Sequence, residues 1–200
     1  MITNKIKKRL KGIKISIING KSNVRIKDSA TTFIRIHKNS IKGKGVLNLN
    51  SNAVNSKETS KLRIDEGGTL VINGNVSLFT GFNIHVGKNA ILYIDDGTFI
   101  NEKALISVAT KCSIGKNCAI SNNVTIIDSN FHMINGKLTS KEIKIGDKVL
   151  IGANTTILKG SIINDNCVIG AESLVSKEIE TNTIAAGKPA VFIKKCIDWK

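Results

Sequence analysis

The chain has 200 residues, enough for one domain or one repeat array with a sizeable core. Aromatic residues make up only 4% of it, which favours many small aliphatic layers over one large irregular interior. Thirty Lys and Arg residues against 15 Asp and Glu indicate either an anionic partner or a basic solvated surface. No aromatic interleaving, helix-turn-helix pattern or zinc spacing points to nucleic acid as that partner.

Residues 2–18 form the first predicted element, and their pattern leaves several structures open. Aliphatic residues of this segment would share one helical face among basic residues: Ile6, Leu10, Ile13 and Ile17. A basic amphipathic helix could contact an anionic membrane, but Gly12 weakens a helix, and a basic edge strand or a capping helix is an equal alternative. We predict a basic N-terminal region over residues 1–60, made of degenerate strands such as "VRIKD" and "TFIRIHK" or of a cap.

A repeat of six residues decides the predicted fold of the rest. An aliphatic residue marks each step: Ile114, Ile120, Ile126, Ile145, Ile151, Ile157, Ile163, Ile169 and Val175. A mostly small or branched residue follows four positions later: Cys118, Val124, Val149, Thr155, Ser161, Cys167 and Ser173. Neither a helix nor plain alternation has a period of six, whereas a short strand plus a sharp corner does. We therefore predict an all-β protein, with a parallel β-helix of hexapeptide repeats over 61–183 and a C-terminal cap or tail over 184–200.

The cysteines and the lack of a long apolar segment indicate in which cellular compartment the protein is expected. No CxxC pair is present, so the spacing does not indicate a metal site. Cys118 and Cys167 occupy the small position of the repeat, which predicts core-filling thiols in a reducing compartment. Because the sequence has no long apolar run and no signal-peptide pattern, we expect a cytoplasmic protein, with peripheral contact at the inner face of the membrane as the alternative for residues 2–18.

The repeat is interrupted between Ile126 and Ile145, where we predict a loop extruded from the prism over about 128–143. His132 lies near the start of this loop. Loops on a rigid scaffold tend to carry catalytic groups, and a neutral imidazole, with a reference pKa of about 6.5, can accept a hydroxyl proton. A loop histidine taken alone is more often a solvated surface residue, so both interpretations stay open at this point.

The C-terminal part resembles the hexapeptide-repeat acyltransferases and is similar to their sugar and polysaccharide O-acetyltransferases of the galactoside and maltose type. The resemblance covers roughly residues 80–195 and rests chiefly on the ending "IGAESLVSK…AAGKPAVFIKK". It implies a left-handed parallel β-helix, a homotrimer, and acetyl-CoA as a co-substrate lying between adjacent prisms, with no metal.

The resemblance also implies roles for individual residues. The segment "NNVTIIDSNFH" matches the family segment that ends in the catalytic base, which falls on His132. Asn101 in "FINEKALI" matches an acceptor-binding asparagine contributed by the neighbouring subunit, and a turn-supporting corner residue is the alternative. The implied acetyl-CoA contacts are the Ala153 N–H at the oxyanion, Ala171 and Ser176 along the pantetheine, and Lys194 with Lys177 and Lys188 near the phosphates. For the three lysines, a solvated surface role is the alternative.

These implications predict an acetyl-CoA-dependent O-acetyltransferase that modifies a sugar hydroxyl in capsule, exopolysaccharide or lipopolysaccharide synthesis. An N-acetyltransferase acting on a nucleotide-linked amino sugar and a non-catalytic β-helix scaffold are the alternatives. A zinc site like that of the γ-class carbonic anhydrases is not expected, because its three histidines would be His37, His85 and His132, which lie 48 and 47 residues apart. Zinc–nitrogen bonds of about 2.1 Å do not span the coils between them.

Overall fold

The computed structural model describes residues 6–11, 22–37, 39–51, 57–195 and 198–199. Regular structure in these residues is entirely β, without a helix among them, which confirms the predicted all-β class. The strands are β1 Ile6–Lys11, β2 Asn23–Asp28, β3 Thr31–Ile36, β4 Ile41–Ser51, β5 Ser60–Ile64, β6 Thr69–Phe79, β7 Asn83–Val86, β8 Ile91–Ile94, β9 Phe99–Ile100, β10 Leu105–Val108, β11 Lys111–Ile114, β12 Ala119–Ile120, β13 Thr125–Ile127, β14 Ser129–Ile134, β15 Lys137–Ser140, β16 Ile143–Ile145, β17 Leu150–Ile151, β18 Thr156–Leu158, β19 Ile162–Ile163, β20 Val168–Ile169, β21 Leu174–Val175, β22 Glu178–Ile179, β23 Thr183–Gly187 and β24 Ala190–Lys195.

Parallel pairing stacks these strands into three faces of a solenoid. Face 1 contains β3, β5, β7, β10, β13, β18 and β21. Face 2 contains the first halves of β4 and β6, then β8, β11, β16, β19 and β22. Face 3 contains β2, the second halves of β4 and β6, then β9, β12, β17, β20 and β23. Successive coils are in register, so that Ile84, Ile106 and Ile126 lie opposite one another along face 1. The chain is therefore a parallel β-helix.

The inward side chains form one continuous core from Val24 to Ala185. All the repeat positions named above, aliphatic and small, are buried. Buried hydroxyls at the small position keep hydrogen bonds to the backbone, as Ser161 Oγ does to Leu158 O at 2.7 Å. Cys118 and Cys167 are buried in the core, as predicted, and burial raises the pKa of Cys118 to about 11. Cys196 lies outside the described residues.

Asparagine supplies many of the corners between faces. Several corner asparagines have positive φ: Asn89, Asn117, Asn123, Asn154, Asn166 and Asn182. Asparagine tolerates this left-handed conformation better than most non-glycine residues, because its short side chain bonds locally. The asparagine-rich composition is thus partly a consequence of the corner geometry.

The N-terminal strands belong to the same solenoid. β2 contains the "VRIKD" patch and β3 contains the first five residues of "TFIRIHK", and the two strands pair in parallel with β4 and β5, respectively. β1 pairs antiparallel with β3, so of the alternatives left open for residues 2–18 the edge strand is correct over residues 6–11 and the two helices are wrong there. The remaining residues of 2–18 lie outside the described residues. The described residues contain no helix that is long and apolar enough to cross a bilayer.

Two long strands carry the chain around a corner without a break. β4 and β6 each have 11 residues, and they join faces 2 and 3 into one sheet. Gly45 allows this close stacking: its φ is +119°, and a Cβ on it would lie 2.0 Å from the Gly74 carbonyl oxygen. A side chain at this position would therefore force the two strands apart.

At the C-terminus, β23 is the last parallel strand and β24 returns antiparallel beside it. Phe192 and Ile193, within the predicted cap or tail over 184–200, are more than half exposed on β24. Ile197 of the same segment lies outside the described residues. Trp199 Nε1 donates to the Lys148 carbonyl oxygen at 2.8 Å, which holds the chain end against the prism.

Candidate functional site

The interruption of the repeat is a β-hairpin. β14 and β15 pair antiparallel in a two-stranded sheet of their own. Asn135 and Gly136 connect them with φ of 51° and 70°, the combination that two-residue type I′ turns require. Ile143 is already buried in β16, so the excursion ends one residue before the predicted limit of 143.

Asp128 anchors the first end of this hairpin. Its buried carboxylate accepts hydrogen bonds from the N–H groups of Ala109, Thr110 and Lys111 at 2.6, 2.7 and 2.9 Å, and from Thr110 Oγ1 at 2.8 Å. Hydrogen bonds to an ionised carboxylate are stronger than neutral ones, so the point at which the chain leaves the prism is rigidly fixed. The sequence prediction did not include Asp128. Its only signal was a carboxylate at the position where the repeat stops.

The second end of the hairpin is tied to the same place. Lys141 N–H donates to the Asp128 carbonyl oxygen at 3.0 Å, and Gly160 N–H donates to the Lys141 carbonyl oxygen at 3.3 Å. Lys159 Nζ contacts Thr139 of β15, which braces that strand from the next coil. The base of the hairpin is consequently held by both the preceding and the following coil.

His132 lies on β14 and is exposed. Phe131, Met133 and Ile134 around it are also exposed, Met133 to 75%. Within the described part of the chain, the imidazole has no hydrogen bond or ion pair. A free imidazole on a braced hairpin, surrounded by apolar side chains, is available to a substrate.

Asn101, Ala153 and Ala171 lie in one corner column, between faces 3 and 1. They follow β9, β17 and β20, which belong to one stack of strands in which β12 separates β9 from β17. At the usual strand spacing, Ala153 lies about 10 Å along the axis from Asn101, and Ala171 about 5 Å further. The structure thus aligns three predicted site residues on a single edge of the prism.

The backbone N–H of Ala153 has no side-chain cap from the described part of the chain. Two residues after the inward isoleucine, the N–H is capped in several coils by a side chain of the next coil: Asn122 caps Glu102, Asp147 caps Lys116 and Asp165 caps Asp147, at 2.8–3.2 Å. The residue that would cap Ala153 is Ala171, whose side chain has no acceptor atom. The N–H of Asn122 faces Ala153 and lacks a side-chain cap for the same reason. These two N–H groups have no hydrogen-bond partner in the described residues.

Ser176 and Lys177 lie in the other corner of face 1, between faces 1 and 2, and both are exposed. The His132 hairpin leaves β13 at this same corner, two coils away, and Lys159 occupies the coil between. The width of face 1, roughly 10 Å for the three residues of β13, separates the hairpin base from the column of Ala153.

Lys188 and Lys194 are exposed near the chain end. Lys188 lies in the turn between β23 and β24, where its peptide bond to Pro189 is cis, and Lys194 lies on β24 opposite Ile184. Neither has an ion pair within the described part of the chain. No group of His, Cys, Asp and Glu side chains suited to a metal occurs in that part.

Comparison with known proteins places the chain in a family. The model of the bacterial transferase hexapeptide family, with six repeats, matches residues 142–177. Galactoside O-acetyltransferase of Escherichia coli strain K12 is 37% identical over 123 residues, which are 59% of this chain and 57% of that enzyme. A solved maltose O-acetyltransferase from Clostridium difficile 630 is 32% identical with a TM-score of 0.51, over 64% of this chain and 67% of that one. The chain belongs to the hexapeptide-repeat transferase family.

A further solved structure extends the similarity of fold to nearly the whole chain. The polysialic acid O-acetyltransferase is 24% identical with a TM-score of 0.62, over 94% of this chain and 86% of that one. At this identity the likeness concerns the fold alone. The chain spans just over half the length of the E. coli galactoside enzyme that it matches.

Proposed function

We propose that the protein is an acetyl-CoA-dependent O-acetyltransferase that modifies a sugar hydroxyl. The observation that carries the proposal is the exposed, unpartnered His132 on a hairpin whose two ends are both fixed at Asp128. Family membership and the two O-acetyltransferase relatives above support the reaction class. Capsule, exopolysaccharide or lipopolysaccharide modification is the setting that the family resemblance suggests.

In this reaction His132 acts as the general base. It removes the proton of the acceptor hydroxyl, whose oxygen attacks the thioester carbonyl carbon of acetyl-CoA. The new C–O bond forms, the C–S bond breaks, and the proton passes from the imidazole to the CoA sulfur. General-base catalysis by a positioned histidine is typically worth about 10²–10⁴ in rate.

The uncapped N–H of Ala153 is the proposed oxyanion donor. Charge develops on the thioester oxygen as the tetrahedral intermediate forms, and a free, pre-oriented N–H stabilises it. Such donors are typically worth about 2.7–4 kcal/mol in the barrier. Ala171, which leaves this N–H uncapped, is also proposed to line the pantetheine channel together with Ser176.

A homotrimer of left-handed prisms would complete the site. Because face 1 separates the hairpin of one chain from its own Ala153 column, we infer that His132 works with the column of a neighbouring subunit, with acetyl-CoA between the two prisms. Asn101 is the proposed acceptor ligand in that column. Lys177, Lys188 and Lys194 are the proposed contacts of the CoA phosphates, since all three are exposed cations.

The test measures release of CoA thiol from acetyl-CoA with two acceptor panels. One contains sugars and oligosaccharides with free hydroxyls only, and the other contains nucleotide-linked amino sugars. We expect turnover with the first panel, loss of that turnover in His132→Ala, and an unchanged oligomer by size-exclusion chromatography. Turnover with amines alone would replace the proposal by N-acetyl transfer, and full activity of His132→Ala would remove the imidazole from the mechanism.

A further inference from the structure

The positive charge of this protein is concentrated at one end of the chain. Residues 1–64 contain 16 of the 30 Lys and Arg residues but only 2 of the 15 Asp and Glu residues. They therefore carry +14 of the net charge of +15 (16 minus 2), and residues 65–200 are almost neutral. A basic solvated surface without a partner would not require this asymmetry.

Among the described residues, the structure places part of this charge around the first coils of the solenoid. Seven basic side chains of these coils form what we call the basic collar: Arg25, Lys27, Arg35, Lys42, Lys44, Lys57 and Lys61. All are exposed except Arg35, which is half-buried. They are distributed over the three faces, with Arg25 on face 3, Arg35 on face 1 and Lys42 on face 2. β1, with the sequence IKKRLK, extends face 1 beyond β3 at the same end.

The seven collar side chains are unpaired, whereas five lysines further along the chain have carboxylate partners. None of the seven has an ion pair or side-chain hydrogen bond in the described residues. The two acidic residues of this region have other partners: Asp28 accepts from Asn50 and Ala30, and Glu58 pairs with Lys103. Downstream, Lys111 and Lys144 share Glu142, Lys148 pairs with Asp198, and Lys195 pairs with Glu180.

An exposed aromatic side chain lies within this basic region. Phe33 on β3 is 47% exposed, opposite Arg9 of β1 on one side and Lys61 of β5 on the other. Basic residues around an exposed phenyl ring match the chemistry of an anionic lipid interface, where the ring enters the acyl boundary and the cations meet phosphates.

We propose that the N-terminal end of the solenoid, formed by the basic collar and Phe33, docks on an anionic lipid bilayer. A bilayer is a plane, and a prism that meets a plane with its end brings residues of all three faces near the surface at once. A linear anionic glycan or nucleic acid would instead follow a track along one face. The collar spans two coils about 4.8 Å apart, so all of its charges lie within about one Debye length, 8 Å, of each other along the axis.

This docking sets the height of the candidate site above the bilayer. Asn101 follows β9, which is three strands along face 3 from β2, and Ala153 follows β17, which is five strands from β2. At the usual strand spacing these residues lie about 14 and 24 Å from the first coil along the axis.

The experiment is flotation of the full chain with vesicles of phosphatidylcholine alone and with roughly one-third phosphatidylglycerol added. We expect co-flotation only with the anionic vesicles at low salt, and its loss at about 0.5 M NaCl. The collar variant Arg25→Gln, Lys27→Gln, Lys42→Gln, Lys44→Gln should bind about a thousandfold more weakly. A second variant, Phe33→Ser, should weaken binding without changing its dependence on salt.

The matched control removes the same charge elsewhere, through Lys88→Gln, Lys116→Gln, Lys137→Gln and Lys141→Gln, and should float like the wild type. Thermal unfolding of each variant verifies that it is folded. The proposal is overturned if the wild type does not float with anionic vesicles at low salt, or if the collar and control variants lose binding equally. Binding to the soluble linear polyanion heparin without binding to the vesicles would also overturn it and identify a polymer as the partner.

Discussion

The coils up to residue 64 and the coils from residue 101 onward bury the same kind of aliphatic ladder, yet their outer surfaces differ. The first coils contain the long bent strand β4 and seven unpaired basic side chains. The later coils have strands of two to five residues on the prism faces, several lysines paired with carboxylates, and the hairpin that carries His132. Because every coil contributes the same inward positions to the core, its corners and outward residues are free to differ. Function is therefore expected where the corners and outward residues depart from the regular pattern.

The largest expected effect separates His132 of the later coils from His85, which lies between the two regions. His132→Ala should lower kcat by about 10²–10⁴, because it removes the general base while leaving the core intact. His85→Ala, on β7, should leave kcat unchanged, since the His85 side chain hydrogen-bonds Asp65 on the outside of face 1. Steady-state kinetics on both variants measures the difference, and equal losses would contradict the assignment of the site to the hairpin.

A side chain that accepts a hydrogen bond from the Ala153 N–H should remove the proposed oxyanion donor. In Ala171→Asp the carboxylate should occupy the position that Asp165 takes over Asp147, and kcat should fall about 10²-fold as the oxyanion donor is lost. Ala171→Leu adds similar volume without an acceptor atom and serves as the control. Both variants are expected to raise KM for acetyl-CoA. If kcat falls equally in the two, a steric effect explains the loss and the Ala153 N–H is not the donor.

Two aspartates at corresponding bends should differ in their contribution to stability. Asp128→Ala leaves three N–H groups without their acceptor and should lower the free energy of unfolding by about 3 kcal/mol, with faster hydrogen exchange in the hairpin. Asp28→Ala should cost only about 1 kcal/mol, because Asp28 accepts two hydrogen bonds and its Oδ2 has no partner. Urea unfolding of both variants makes the comparison. A cost for Asp28→Ala as large as that for Asp128→Ala would mean that the hairpin anchor has no special role.

The smallest effect concerns the pH dependence of an ion pair on the earlier coils. Burial alone would raise the pKa of Asp65, but hydrogen bonds from Arg63 and His85 outweigh it and lower the pKa below the ordinary value of 3.8. A lowered folded-state pKa contributes stability above pH 3.8, and this contribution is lost as the pH falls through the folded-state pKa. Asp65→Asn should therefore be less stable than the wild type by about 0.2–1 kcal/mol at pH 7. The difference should shrink in urea titrations at successively lower pH, and a difference that persists unchanged would exclude the ion pair as its cause.

The sequence was sufficient for the repeat and for the identity of the core residues. A six-residue period places Ile151, Ile157 and Ile163 inward whatever surrounds them, because only a short strand with a corner has that period. Cys118 and Cys167 could be assigned to the core for the same reason. The repeat was harder to predict in the earlier coils. There β4 and β6 bend around a corner at glycines such as Gly45 and Gly74 within continuous strands, and this obscures the six-residue period.

The candidate site was predictable only in part. His132 and its interruption were visible as a break in the repeat, and the resemblance supplied roles for Asn101 and Ala153. Asp128 was missed because its carboxylate accepts hydrogen bonds from the N–H groups of residues 109–111, which are 17–19 residues away in the chain and lie beside it only in the folded structure. The two helical alternatives for residues 2–18 were wrong over residues 6–11, where pairing with β3 overrides the helical spacing of the apolar residues.

By itself, the sequence determined that this protein is a parallel β-helix with one interruption at a histidine, because the inward positions recur at a fixed interval along the chain. Only the tertiary structure decided which N–H groups are capped, which lysines are paired and where the unpaired charges collect. Those properties depend on residues about 20 positions apart that meet across neighbouring coils, and no local pattern records such a meeting.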